Sequence, residues 1–128
     1  MKALSAVVFS LALTMLSLLA AAAEIPFNQS QFDAAQAAGK PVAVVFHADW
    51  CPTCRAQAPV LKSLMQTTEF KPLTVFVANF DTAKDLKMAL RVSKQSTIVV
   101  FKGGKEVDRS TGDTQSDSLA ALLRHAVP

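Results

Sequence analysis

Both cysteines of the 128-residue chain lie in one short stretch, "ADWCPTCRAQAP", as Cys51 and Cys54. Two thiols at this spacing have three chemistries open to them: a structural disulfide, a metal clamp, or a pair that opens and closes. A bond between them would close a very small loop and remove little freedom from the unfolded chain, which makes it a poor staple. As a clamp, two thiolates suit a soft ion such as Cu(I) or Zn. A closed zinc site asks for four ligands, however, and no histidine stands at zinc-finger spacing. A reversible dithiol needs only the two sulfurs and a setting that turns one of them into a thiolate.

That setting depends on the flanking elements. "PVAVVFHA" (41–48) is a continuous, largely β-branched apolar run, the pattern of a strand buried on both faces. "CPTCRAQAPVLKSLMQT" (51–67) then reads as a helix, with Pro52 allowed in the first turn and Pro59 expected to kink the interior. Cys51 therefore falls at a helix N-terminus, where unpaired N–H groups and the dipole favour an anion. Lowering a thiol from about 8.5 to about 7 raises its thiolate share at neutral pH from roughly 3% to half. Cys54 lies one turn further on, beneath Cys51, and can attack a mixed disulfide formed there. Cys51 is thus the expected nucleophile and Cys54 the resolving thiol.

The remaining elements alternate. Helix is expected over 30–40, ending at Gly39, and over 82–92 with Thr82 as its cap. A second buried strand is expected over 73–81. "STIVVFK" (96–102) and "KEVDRST" (105–111) flank Gly103-Gly104, the signature of a two-residue hairpin. Thr114 and Asp117 are spaced as a capping box for a last helix over 116–127. The order predicts an α/β layer structure: a central mixed β-sheet, parallel in its middle and antiparallel at the hairpin, flanked by α-helices.

The chain opens with Met1-Lys2 and an apolar run without charge until Glu24. A basic start, an apolar centre and small residues at 21 and 23 read as a secretory signal peptide cleaved after Ala23, with an uncleaved membrane anchor as the competitor. Residues 24–128 would then form one domain in a compartment where disulfides persist. The 13 Lys and Arg against 10 Asp and Glu, with Lys2 lost in the leader, give no electrostatic case for nucleic acid or for an anionic membrane.

On four landmarks the chain resembles an exported thioredoxin-fold protein: "ADWCPTC", Pro59 five residues after Cys54, "STIVVFKGGKE", and Gly112 before the last helix. The resemblance covers essentially all of 24–128. It implies a thioredoxin-like fold with the dithiol at the edge of a shallow apolar groove, Cys51 exposed and attacking, Cys54 resolving. Trp50, Pro52, Thr53 and Pro59 are the supporting residues, with the Trp50 ring shielding the sulfurs. Gln95, Ser96 and Thr97 correspond to the substrate groove.

Three positions depart from that family. Ser96 stands where a cis-proline is usual. A cis bond before a non-proline residue costs about 2.5–4 kcal/mol, so the Gln95–Ser96 bond is expected to be trans, in a loop that differs. Ser96 either sets a hydroxyl opposite the sulfurs and alters substrate choice, or marks a drifted loop with ordinary activity. Val45 and Val77 replace the aspartate and lysine that the family keeps beneath the resolving cysteine. His47 is the candidate to take up the Cys54 proton, the alternative being a histidine that packs where the family often has an aromatic ring. Asp49 either orients His47 or is simply solvated, the latter being expected, and His125 is expected on the surface without a partner.

These readings converge on an exported thiol–disulfide oxidoreductase acting on protein thiols and disulfides, as a reductant fed by a membrane or periplasmic donor. A periplasmic or secreted monomer is expected, with no metal and no cofactor beyond the redox-active cysteine pair. The alternatives are a dithiol metal-binding or metallochaperone module and a redox-inert binding module on the same fold.

Overall fold

A computed structural model describes residues 23–128. The expected leader falls on residues 1–23 and so lies, but for Ala23, outside the described residues. Along the chain come β1 (Ala23–Pro26), α1 (Gln29–Ala37), β2 (Val42–His47), α2 (Pro52–Met65), a 3-10 turn (Thr68–Phe70), β3 (Thr74–Asn79), α3 (Lys84–Leu90), β4 (Thr97–Lys102), β5 (Lys105–Thr111) and α4 (Ser116–Arg124). The five strands form one sheet in the order β1-β3-β2-β4-β5. β1 and β2 each run parallel to β3, while β4 runs antiparallel to β2 and to β5. This is the α/β mixed sheet expected from the sequence.

β2 occupies the centre because every residue from Val42 to Phe46 can be buried. Period two divides them between the faces. Ala43 and Val45 join Val75, Ile98 and Val100 beneath Leu61 and Met65 of α2 and Leu119, Leu122 and Leu123 of α4. Val42, Val44 and Phe46 join Phe76, Val99 and Phe101 against Phe32 of α1 and Leu86 of α3. Phe27, Phe32, Phe76 and Phe101 are neighbours in this second layer, with centroids 5.4–5.9 Å apart and mostly edge-on, a favoured aromatic geometry. The hairpin turns on Gly103 (φ +60°) and Gly104 (φ +77°), a pair of left-handed residues that suits the twist of the flanking strands.

Three local expectations are corrected. β1 was not anticipated: four residues ending in proline carry too little pattern, and the strand forms because β3 offers it an edge. Thr82 does not cap α3; Ala83 holds that position without a side-chain bond. The Thr114–Asp117 capping box does not form, because Gln115 is the N-cap of α4 and its N–H is taken by Asp113 Oδ1 at 2.9 Å. In both cases the helix begins one residue later than the hydroxyl requires.

Candidate active site

The carboxyl end of β2 delivers the chain through Ala48-Asp49-Trp50 to α2. Cys51 is the N-cap of α2, in extended conformation, and Pro52 is inside the first turn. The Cys51 N–H is fixed by Ala48 O at 3.1 Å, and the Cys54 N–H donates to Cys51 Sγ at 3.2 Å. A thiol here does what a serine or aspartate does at other helix starts: it accepts an otherwise unpaired N–H. Both cysteines are free thiols, and Cys51, expected to be exposed, is instead nearly covered at 3%, as is Cys54 at 1%, because both pack with Ala48 against Phe80.

Burial pushes the Cys51 thiol up. Hydrogen bonds from the Cys54 thiol, the Ser96 hydroxyl and the N–H groups of Cys54 and Thr53 outweigh it and hold Cys51 down at about 7. These donors stabilise the charged form. His47 is not among them.

Facing the sulfurs is Ser96, 1% exposed. Its Oγ lies 2.9 Å from Cys54 Sγ and 3.5 Å from Cys51 Sγ. Its backbone is left-handed at φ +60°, uncommon for a residue with a Cβ, and it is clamped on every side. The Ser96 N–H donates to Phe46 O at 2.8 Å, and Ser96 O accepts from Gly112 N at 3.0 Å and from Gln57 Nε2 at 3.2 Å. No peptide bond among the described residues is cis, in keeping with the trans expectation. Proline, held near φ −65° and lacking an N–H, cannot occupy this loop as it stands.

Gln57 is the residue that sequence reasoning missed. It shares the buried stripe of α2 with Cys54, Leu61 and Met65, and its amide also donates to Asp113 O at 2.9 Å. One side chain thus ties the Ser96 turn and the Gly112-Asp113 turn to α2. The signal was available, since glutamine stands at an apolar-periodic position three residues after Cys54.

Two openings lie near this end of the sheet, and Cys51 lines the smaller. A small one, about 120 Å³, is lined by Cys51, Thr53, Lys94, Gln95, Ser96 and Gly112. It brings Gln95 and Ser96, two of the three residues expected in the groove, beside Cys51, together with Thr53 of α2. Thr97 does not line it: its hydroxyl is spent on Lys94 O at 2.7 Å and on Thr111 Oγ1 at 2.9 Å, which closes the turn before β4. A larger cleft, about 670 Å³, opens between β1, β3 and the Trp50 loop and is lined by neither cysteine. His47 and Trp50 both line it. His47 Nε2 donates to the exposed Asp49 at 2.9 Å and makes no hydrogen bond to either sulfur. Trp50 is 57% exposed, its N–H donating to Asp81 Oδ2 at 2.8 Å. Pro59 lies inside α2, well past the dithiol. His125, expected on the surface without a partner, is exposed but bonds Asp108 at 2.8 Å. Among the described residues, no three His, Cys, Asp or Glu side chains converge as a metal group.

The family model described as Thioredoxin matches residues 23–125. Thioredoxin of Chlamydia trachomatis is 35% identical over 82 residues, 64% of this chain and 78% of that protein. Thioredoxin-2 of Saccharomyces cerevisiae is 32% identical over 86 residues, 66% of this chain and 81% of that protein. Among solved structures, Trxlp from Edwardsiella tarda superposes with a TM-score of 0.77 at 40% identity, over 79% of this chain and 98% of its own.

Proposed function

The chain belongs to the thioredoxin family of thiol–disulfide oxidoreductases, and from that premise we propose that it works outside the cytosol as a reductant of protein disulfides. Residues 1–23 act as a cleaved leader in this reading, and processing after Ala23 would leave Glu24–Pro26 available to pair with β3. Cys51 attacks a substrate disulfide presented at the opening beside Gln95 and Ser96, and Cys54 resolves the mixed disulfide. A membrane or periplasmic donor returns the pair to the dithiol.

The observation that carries the direction of flow is the Cys51 thiol at about 7. A strongly stabilised thiolate, with pKa about 3.5, makes the dithiol the preferred state and its disulfide an oxidant, whereas about 7 is the range of a reducing dithiol. Equilibration of residues 24–128 against defined thiol buffers measures this directly. A midpoint near about −270 mV is expected; one near about −120 mV would make the protein an oxidant. Cys54→Ser expressed with its leader should accumulate mixed disulfides with extracytosolic proteins. A variant that traps none would argue for a redox-inert binding module.

A further inference from the structure

We propose that Ser96 is a catalytic residue of the exchange reaction, its hydroxyl stabilising first the Cys51 thiolate and then the Cys54 thiolate. Cys54 has to become an anion in a place that offers little help. It is 1% exposed. The sheet positions Val45 and Val77 on the α2 side are apolar. His47 is turned to Asp49. Apart from Cys51, the Ser96 hydroxyl at 2.9 Å is the one side chain hydrogen-bonded to Cys54 Sγ among the described residues. The same oxygen is 3.5 Å from Cys51 Sγ, so one O–H reaches either sulfur by rotation about Cβ–Oγ.

A hydroxyl carries one rotatable proton, which suits it to both steps. Before attack, the Ser96 O–H and the Cys54 S–H both donate to the Cys51 thiolate. Cys51 attacks one sulfur of the substrate disulfide; the substrate S–S bond breaks and its electron pair leaves on the other sulfur as a thiolate. Cys51 Sγ is now a neutral disulfide sulfur and a weak acceptor. Cys54 gives up its proton, by way of water, to that departing thiolate. The Ser96 O–H turns to the new Cys54 anion, which attacks Cys51 Sγ, and the second substrate sulfur leaves as a thiolate. One disulfide is reduced and one formed, and Ser96 ends with the proton it started with.

The surroundings fit this role. The left-handed backbone at Ser96 is held by Phe46, Gly112 and Gln57, so the oxygen is positioned before any substrate arrives. A preset donor aimed at a developing anion needs no reorganisation during the step.

The proposal rests on thiol–disulfide exchange at this site, whichever way electrons flow. Its test follows the two steps separately with a bis-nitrothiobenzoate disulfide, whose thiolate is coloured: the first equivalent reports attack by Cys51, the second resolution by Cys54. The wild type is compared with Ser96→Ala and Ser96→Gly, both without the hydroxyl. Glycine adopts φ +60° readily and so removes the oxygen without straining the turn. In both variants the second release should slow by about tenfold, the order expected for losing a hydrogen bond to a charged group. The alkylation midpoint of Cys51 should also move above 7. Second release at the wild-type rate in both variants would overturn the proposal, and so would slow release in the alanine variant with normal release in the glycine one, which would assign the effect to backbone strain. A wild type releasing neither equivalent would sink exchange itself, and the Ser96 role with it.

Discussion

At Cys51, function and stability are linked through one proton. The folded thiol sits at about 7, against about 8.5 for an unperturbed cysteine. Its folded pKa is depressed, so the native dithiol form sheds a proton in a window where the unfolded chain still holds one. Stability of the reduced protein should therefore rise with pH from about 7 to about 8.5 and level off above. Going the other way, the contribution is lost as pH falls through 7. Urea unfolding of the reduced protein at several pH values checks this, with Cys51→Ser expected to flatten the profile in that window. Alkylation of Cys51 should follow the same ionisation, half-maximal near pH 7. An alkylation midpoint near 8.5 would mean that the hydrogen bonds from Cys54, Thr53 and Ser96 do not outweigh burial. The motif made this cysteine legible as the thiol at a helix start, because a helix following a buried strand dictates an anion-favouring site there. That Ser96 would lie within reach of both sulfurs was raised by its position alone; the distances follow from a left-handed turn that residue types do not encode.

Elements set the position of that hydroxyl, and α2 does most of it. Its buried stripe runs Cys54, Gln57, Leu61, Met65, so the residue below Cys54 is polar where packing alone would choose an aliphatic. Gln57→Leu keeps the volume but removes the donors to Ser96 O and Asp113 O. Ser96 O keeps Gly112 N, whereas the Asp113 carbonyl loses its Gln57 partner. A loss of about 1–3 kcal/mol is expected for such a deletion, read as a lower urea midpoint. If the clamp positions the hydroxyl, the same variant should both slow Cys54 attack and move the Cys51 alkylation midpoint above 7, as the Ser96 variants do. Strands and helices were legible where apolar pattern spans a whole element, as in β2, β4 and α2. The misses are short or terminal. β1 exists through its pairing with β3, and the starts of α3 and α4 are decided by where the preceding turns end, one residue from the hydroxyls that looked like caps. Gln57 escaped notice because a single glutamine in an amphipathic helix usually faces water.

Across the whole molecule, β1 closes the sheet beside the larger cleft and brings Glu24 to it. Glu24 lines that cleft together with His47, Asp49 and Asp81. It also borders a cavity of about 160 Å³ beneath α2, shared with Val45, His47, Gln57 and Val77. Partial burial raises the Glu24 carboxyl above its ordinary 4.5, and Lys62 opposes the shift without cancelling it. The sign is opposite to that of Cys51. A raised folded pKa means the native state holds this proton more tightly than the unfolded chain does. Its contribution to stability is complete below 4.5 and is lost as pH rises through the raised value. At neutral pH, then, the β1 edge carries a carboxylate that its surroundings disfavour. Glu24→Gln should stabilise the protein at pH 7 relative to wild type and lose that advantage near pH 4, in denaturant titrations run at both. A variant equal to wild type at both pH values would show that Lys62 fully offsets the burial of Glu24.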